Sequence, residues 1–293
     1  MSLCGFLNVY KPPRFSSFDI VRKVAKMIPE KVGHLGTLDP LAEGVLILAI
    51  GRATKLTDFF LKKTKKYRFT IKFGISTTTY DAEGEVTERK ENISVNKQKL
   101  LSILPDFAGK TMQTPPIFSA RKFKGKRLYR YARNNMDVDL EQLSREIEIY
   151  EINLLSCTKT EAEIETHCSS GTYIRSLAVD ICKKLNVPGH VTRLIRLSVS
   201  DAAWGKIENA CSPDDLTHES IARNIIPLDT ILSGFPAVQL KHNAIFHLKK
   251  GRYVPTVRSM DSPFIIKNED NRILGLGSLK NGHIHMDKML QDV

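Results

Sequence analysis

The sequence predicts an α+β protein with a mixed, mostly antiparallel sheet as its core and a small β module at its C-terminus. Segments that alternate polar and apolar residues, a pattern typical of half-buried strands, outnumber the helical segments. The chain shows little of the regular strand–helix–strand order that produces parallel sheets. Beyond residue 235, short apolar runs are separated by Asn, Asp and Gly turns. We therefore expect a core domain over 1–230 and a smaller domain over 235–293.

The first predicted elements are a strand, a capped helix and a buried strand. Gly5–Tyr10 forms the strand and is stopped by two prolines. Ser16 and Ser17 supply hydroxyl caps for a helix that ends by Pro29. Val45–Ile50 is a continuous apolar run, which is typical of a strand buried on both faces.

Alternation and helical spacing predict the remaining elements of the core. The further predicted strands are Lys66–Gly74, Arg145–Leu155, Glu161–Cys168 and Val191–Val199. The further predicted helices are Thr57–Lys62, Val95–Leu104 and Tyr173–Leu185. The connection Phe107–Pro116 is rich in small residues and prolines, and we expect it to be irregular.

The composition indicates a globular protein of the cytoplasm. Of the 293 residues, 42% are hydrophobic and 26% are charged, the usual balance for a soluble domain. No apolar stretch reaches the ~18 residues of a membrane span, and the N-terminus lacks a secretory pattern. The five cysteines form no CxxC pair, and their odd number argues against a zinc site and against a disulfide framework.

The excess of positive charge predicts a polyanionic partner. Forty-four Lys and Arg against 32 Asp and Glu give a formal charge of +12. Seven of the thirteen residues in Arg121–Arg133 are basic, and Phe123, Tyr129 and Tyr131 lie among them. Cations suit phosphates and aromatic rings suit unpaired bases, so the segment favours RNA; a solvated basic helix is the alternative.

A carboxylate in a rigid loop is the main candidate for chemistry. Asp39 lies between Gly36 and Pro40, directly before the apolar run, so its backbone is tightly restricted. Arg175 could pair with Asp39 and hold the carboxylate ionised and aimed. Tyr67 offers a phenol as a further candidate. The alternatives without a catalytic role are an Asp39 that caps a turn, an exposed Arg175 on a helix, and a Tyr67 that packs in the core.

Motifs along nearly the whole chain resemble the TruB family of tRNA pseudouridine synthases, which isomerise a uridine in the T-loop of tRNA, position 55. The motifs that carry this resemblance, in chain order, are Leu7–Pro12, Gly33–Pro40, Gly51–Lys55, Lys66-Tyr67, Thr77–Asp81 with Gly84, Gln113–Ala120, Gly125–Tyr129, and Gly171–Arg175 with Asp180. Their order along the chain makes the resemblance specific.

The resemblance implies roles for individual residues. The catalytic residues would be Asp39, Tyr67 and Arg175. Asp39 would attack or stabilise the detached ribose–base system, and Tyr67 would stack on the target base and assist removal of the ribose C2′ proton. The substrate-binding residues would be His34, Tyr67, Tyr173 and Leu194. The RNA-binding residues would be Lys11, Lys55, Arg121, Lys122, Lys124, Lys126, Arg127, Arg130 and Arg133.

The resemblance also implies the domains and partners. Residues 1–230 would be the catalytic domain, with an RNA-gripping insertion near 110–145, and 235–293 would be a PUA-like RNA-binding domain. We expect a monomer that acts on the T-arm of tRNA with no cofactor, metal, membrane, guide RNA or obligate protein partner. The alternatives are a guide-RNA-dependent relative that modifies ribosomal RNA and a non-catalytic RNA chaperone that would not need Asp39.

Overall fold

The strands and helices follow the predicted order in a computed structural model that describes residues 2–134, 136–256, 259 and 261–291. The strands are β1 (Gly5–Lys11), β2 (Val32–His34), β3 (Glu43–Ile50), β4 (Lys65–Phe73), β5 (Ile75–Thr77), β6 (Val86–Arg89), β7 (Gly109–Gln113), β8 (Lys122–Phe123), β9 (Lys126–Arg127), β10 (Arg145–Cys157), β11 (Glu161–Cys168), β12 (Gly189–Val199), β13 (Ala237–Gln239), β14 (Val254–Pro255), β15 (Phe264–Lys267), β16 (Ile273–Lys280) and β17 (His283–Met289). The helices are α1 (Ser17–Ala25), α2 (Thr57–Leu61), α3 (Lys97–Ile103), α4 (Leu128–Arg133), α5 (Ile174–Leu185), α6 (His218–Asn224), α7 (Leu228–Ile231) and α8 (His242–Lys249).

The main sheet is mixed and mostly antiparallel, which confirms the predicted fold class. Among the described residues its strand order is β1-β3-β12-β4-β11-β10-β7, and β2 pairs with β3. The pairs are antiparallel except β12 with β3, which run parallel where Ile195 and Arg196 meet Glu43 and Gly44. The described part of the C-terminal region forms a second sheet in the order β13-β15-β16-β17-β14.

Strand β3 explains why the run Val45–Ile50 is apolar throughout. Successive side chains of a strand point to opposite faces, and the side chains of β3 divide between two apolar clusters. Leu46 and Leu48 join the cluster that contains α1 and α5. Val45 and Ile47 join the other cluster, which also contains Ile265, Leu276 and Leu290 of the C-terminal region. The second sheet therefore packs against the core strand next to the Asp39 loop.

One prediction and one alternative about the middle of the chain are wrong. Phe107–Pro116 contains β7, the edge strand of the main sheet, which pairs with β10. Its first four residues are exposed, so this strand lacks the alternation that a half-buried strand shows. Arg121–Arg133 is not one solvated helix, because β8 and β9 form a hairpin that precedes α4. Lys124 and Gly125 have positive φ angles at the turn of that hairpin.

No helix of the described residues is long and apolar enough to cross a membrane.

A substitution at Gly44 tests the close approach of the β3 and β12 backbones. Its φ is +102°, and a Cβ at this position would lie 2.3 Å from the Arg196 carbonyl oxygen. We expect Gly44→Ala to lower the free energy of unfolding by about 2–4 kcal/mol, because backbone strain and overpacking add. Gly234→Ala is the control, since no atom lies within 4 Å of its Cβ position. Denaturant titration of both variants measures the difference, and equal losses would contradict the prediction.

Candidate active site

The Asp39 loop connects β2 to β3 and is tied to the first helix. The Ser17 hydroxyl accepts a hydrogen bond from the Leu38 N–H at 2.8 Å and donates one to the Leu38 carbonyl at 3.1 Å. The Asp39 carbonyl accepts a hydrogen bond from the Ala42 N–H at 3.1 Å. Gly36 has a φ of +122°, a conformation that favours glycine. These bonds hold the backbone on both sides of the Asp39 carboxylate.

Arg175 meets Asp39, as the sequence predicts. Arg175 Nε donates to Asp39 Oδ2 at 2.9 Å, while Nη1 donates to the Thr79 carbonyl at 2.7 Å and Nη2 to the Phe118 carbonyl at 2.9 Å. A second carboxylate, Asp81, lies 3.4 Å from Nη1. Only 4% of the Arg175 side chain is exposed, against 36% of Asp39. The guanidinium is therefore enclosed and saturated with acceptors, and the Asp39 carboxylate remains accessible.

A cavity of about 460 Å³ opens at this ion pair. Asp39, Arg175, Tyr67, Tyr173 and Leu194 all line it, although they come from different parts of the sequence. The volume lies within the ~300–1,000 Å³ typical of small-ligand sites. The structure thus brings five of the six residues predicted to act on the substrate to one site.

Tyr67 is a neutral phenol in this site. It lies on β4 with 8% of its surface exposed, next to Arg196 of β12 in the sheet register. Burial raises the Tyr67 pKa above its ordinary value, and the neighbouring Arg196 guanidinium opposes that shift. The ring is therefore protonated at neutral pH and presents an apolar surface to the cavity.

The backbone of Tyr173 is fixed by a buried amide. Gln113, with 4% of its surface exposed, accepts a hydrogen bond from the Tyr173 N–H at 2.8 Å and donates to the Tyr173 carbonyl at 3.0 Å. Tyr173 directly precedes α5, which carries Arg175. The edge strand β7 therefore helps to position both residues in the cavity wall.

The sequence reasoning missed Arg196 as a residue of this site. Arg196 is 1% exposed and lines the cavity. Its Nε donates to the Val45 carbonyl at 2.7 Å and its Nη2 to the Gly36 carbonyl at 3.0 Å, which ties β12 to the Asp39 loop. A spacing of two residues in a strand places Arg196 on the same face as Leu194, and that spacing could have revealed it. Lys65 bears the same relation to Tyr67 and also lines the cavity.

His34 stands apart from the residues that line the cavity. Its Nδ1 accepts a hydrogen bond from the Gly36 N–H at 3.3 Å. Burial lowers the His34 pKa, and the positive charges of Arg196 and Arg127 lower it further. His34 is therefore a neutral imidazole at the base of the Asp39 loop, with the basic hairpin nearby.

Two residues predicted to bind RNA are engaged within the protein. Lys11 is fully buried, and its Nζ donates to the carbonyls of Pro12 at 2.9 Å, Phe15 at 2.6 Å and Pro40 at 3.3 Å. Burial lowers the Lys11 pKa to about 8. Lys11 therefore braces the Asp39 loop, and its burial does not favour the predicted contact with RNA. Lys55 is exposed, and its Nζ donates to the Met289 carbonyl at 2.8 Å, across to the second sheet.

The other predicted RNA-binding residues form the basic hairpin, by which we mean residues 121–133. All of its cationic side chains except Arg121 are exposed, and Arg121 lines the cavity. Tyr131 differs from the prediction because it is buried, with its hydroxyl donating to the Phe123 carbonyl at 3.0 Å. Tyr131 therefore supports the hairpin, and Phe123 and Tyr129 remain partly exposed.

The described residues contain no group of three or more His, Cys, Asp or Glu side chains arranged to hold a metal ion. The polar groups that line the cavity are a carboxylate, phenols, Ser and Thr hydroxyls, and cations.

Comparison with known sequences identifies relatives over the whole chain. The model of the TruB family pseudouridylate synthase N-terminal domain matches residues 22–174. The tRNA pseudouridine synthase B of Aquifex aeolicus is 38% identical over 291 residues, which cover 98% of this chain and 99% of the relative. The protein of the same name from Clostridium tetani is 35% identical over 291 residues, with the same coverage.

Solved structures share the fold at lower identity. A Cbf5-Nop10-Gar1 complex contains a chain that matches with a TM-score of 0.70 and 22% identity, covering 98% of this chain and 85% of that one. An H/ACA RNP bound to a substrate RNA containing 2′-deoxyuridine matches with a TM-score of 0.69 and 20% identity, at the same coverage. These likenesses show a pseudouridine synthase fold with a C-terminal sheet of the PUA-like kind. By its sequence, the chain belongs to the TruB family of pseudouridylate synthases.

Proposed function

We propose that this enzyme converts the T-loop uridine of tRNA, position 55, to pseudouridine. The observation that carries the proposal is the Asp39 carboxylate, held by Arg175 at 2.9 Å in the wall of the cavity. The names of the bacterial relatives support tRNA as the substrate. The chain also spans 99% of the length of those relatives, which favours a standalone enzyme over a guide-dependent one.

The proposed reaction is an isomerisation with no net gain or loss of atoms. The bond from C1′ of the ribose to N1 of uracil breaks, the base rotates, and C5 forms the new bond to C1′. The proton on C5 is lost and N1 gains one, so neither oxidant nor reductant is consumed. The chemistry therefore needs a carboxylate that acts on the sugar, which is the role of Asp39, and a pocket that retains the detached base.

The cavity provides that pocket when the uridine leaves its stack. Unstacking a base costs about a few kcal/mol, which contacts inside the protein must offset. Tyr67 supplies an aromatic face, while Leu194 and Tyr173 enclose the base from the β12 and α5 sides. Arg175 keeps Asp39 ionised and aimed while the sugar is attacked.

The basic hairpin lies beside the cavity and suits the phosphates of a folded RNA. Arg121 connects the two, since it belongs to the hairpin and lines the cavity. RNA is recognised through shape, phosphates and stacked bases, and an exposed hairpin of cations meets these needs. The C-terminal sheet, packed on the core, would extend this surface as a PUA-like module. We infer that a single chain acts without a guide RNA.

Asp39→Asn tests the catalytic carboxylate. We expect pseudouridine formation to fall by more than about a thousandfold, because the amide cannot act as a nucleophile or base. Folding and tRNA affinity should persist, since Asp81 still lies 3.4 Å from Arg175 Nη1. Single-turnover assays on unmodified tRNA transcript, with modified positions mapped by nucleotide, measure the loss. Asp229→Asn, an exposed control, should retain full activity. Full activity of the Asp39 variant would refute Asp39 as the catalytic carboxylate. Intact tRNA binding by a wild type that forms no pseudouridine would instead favour a guide-dependent enzyme or a chaperone.

Tyr67→Phe tests the phenol. Burial raises the Tyr67 pKa, so the phenol stays mostly protonated over the pH range of the assay. Below its pKa, the small phenolate fraction increases about tenfold with each pH unit. We expect the wild-type single-turnover rate to rise between about pH 6 and 9. The variant should be about 10²–10⁴-fold slower and should not show this rise.

Tyr10→Phe is the matched control for the Tyr67 experiment. The Tyr10 pKa is raised to about 12 by burial and by the adjacent Glu43, and Tyr10 is not among the residues that line the cavity. Its variant should keep the wild-type pH profile. A Tyr67→Phe profile parallel to that of the wild type would exclude the phenol from proton transfer.

The salt dependence of tRNA binding tests the basic hairpin. We expect affinity to fall as salt rises, and the double variant Arg127→Gln/Arg130→Gln to reduce the slope by about 0.7–0.9 for each phosphate that the variant no longer binds. Arg223→Gln, which changes an exposed arginine at the end of α6, should leave the slope unaltered. Filter binding from about 50 to 300 mM salt gives the slopes. A slope unchanged in the double variant would remove these two residues from the interface.

A further inference from the structure

A second arginine in the cavity wall has a different environment from Arg175. Arg145 begins β10 and lines the cavity, with its guanidinium 5.2 Å from the centroid of the Tyr173 ring. No carboxylate among the described residues forms an ion pair with it, and its buried Nε has no hydrogen-bond partner there. By contrast, all three nitrogens of Arg175 donate to protein acceptors. The donors that Arg145 can offer a ligand are those of Nη1 and Nη2, since Nε is itself buried.

Arg121 is a second cation near Arg145, and neither residue forms an ion pair with a carboxylate of the described residues. Burial lowers the Arg145 pKa, and the charge of Arg121 lowers it further, while Tyr173 opposes the shift. Arg121 also lines the cavity, and no ion pair involving it occurs in the described residues. Two like charges placed together in a partly enclosed wall repel each other. A bound anion would remove that repulsion and supply acceptors for the unused donors.

The backbone below Arg145 is shaped to admit its guanidinium. A Cβ at Gly171 would lie 2.1 Å from Arg145 Nη2 and 2.2 Å from Cζ, so a side chain there would displace the group. Gly171 also has a φ of +84°. The guanidinium is therefore confined between the Gly171 backbone and the Tyr173 ring. This confinement fixes the planar fork that binds phosphate in two-pronged geometry.

We propose that Arg145 and Arg121 form a phosphate subsite that binds one of the two backbone phosphates flanking the target uridine. The proposal rests on the proposed function, because it takes an RNA with its uridine in the cavity as the ligand. The two guanidinium groups neutralise that phosphate beside the site of chemistry. Arg145 is thereby a binding residue that sets the position of the flipped nucleotide relative to Asp39.

A synthetic T-arm stem-loop with single neutral phosphates tests the subsite. A methylphosphonate replaces the phosphate on the 5′ side of the target uridine, on its 3′ side, or at a remote stem position. The sugar preceding each change is 2′-deoxy, and charged RNAs with the same deoxy sugar serve as references. Dissociation constants are measured for the wild type, Arg145→Gln and the exposed control Arg89→Gln, after thermal melts show that each protein is folded.

At one flanking phosphate, we expect the effects of the neutral phosphate and of Arg145→Gln on the dissociation constant to be non-additive. In the wild type and in Arg89→Gln, neutralising that phosphate should weaken binding by about 10- to 100-fold, the range for a hydrogen bond to a charged group. Arg145→Gln should weaken binding of the charged RNA, and neutralising the phosphate in that variant should then cost clearly less than in the wild type, because only Arg121 still binds it. The remote methylphosphonate should act equally on all three proteins. Effects that multiply at both flanking positions would overturn the subsite.

Two further measurements separate a binding role from a structural one. Arg145→Lys keeps the charge and loses the fork, so it should recover part of the lost affinity and still respond to the same neutral phosphate. A residue that only supports Tyr173 would weaken binding of all the RNAs by one common factor, which would also overturn the proposal. Pseudouridine formation by the wild type on the unmodified stem-loop is measured separately, and its absence would refute the proposed function instead.

Discussion

The active-site geometry depends on the ion pair between Arg175 and Asp39. Burying a guanidinium costs several kcal/mol unless acceptors surround it, and here two carboxylates and two carbonyls do so. Those acceptors come from the Asp39 loop, the turn after β5 and the segment after β7, so Arg175 joins three separate parts of the chain. The interaction is better explained by positioning a carboxylate for chemistry than by stability, because a buried pair gives little net stabilisation.

Two buried cations also hold the backbone of the Asp39 loop without contacting the Asp39 carboxylate. Arg196 and Lys11 are both buried and both donate to backbone carbonyls of the loop, at Gly36 and Pro40 respectively. Backbone carbonyls are acceptors that any sequence provides, so these contacts constrain the loop without competing for Asp39. The lowered pKa of Lys11, about 8, is the consequence of that burial.

The cationic side chains that line the cavity fall into two groups according to their hydrogen-bond partners. Arg175 and Arg196 have protein acceptors and maintain the shape of the site, whereas Arg145 and Arg121 lack carboxylate partners in the described structure. The basic hairpin extends the second group outward along the surface. The cations nearest Asp39 are therefore bonded within the protein, and those farther out on the surface are exposed. This arrangement suits an RNA whose phosphate backbone lies on the outer surface while its target base enters the cavity.

The sequence by itself determined the order of most elements and the sheet class, because alternation and caps are local signals, and it singled out Asp39 by its Gly- and Pro-bounded loop. Tyr67 and Arg175 were assigned through the resemblance to the TruB family, since no local pattern distinguishes them from structural residues. The tertiary structure decided which cations are available. Lys11 is buried although lysine is usually an exposed residue. Strand β7 shows no alternation of polar and apolar residues, because it is an exposed edge strand. Arg145 and Gly171 become neighbours only when β10 meets the segment before α5. Burial and pairing of charges depend on contacts between distant segments, which no local pattern encodes.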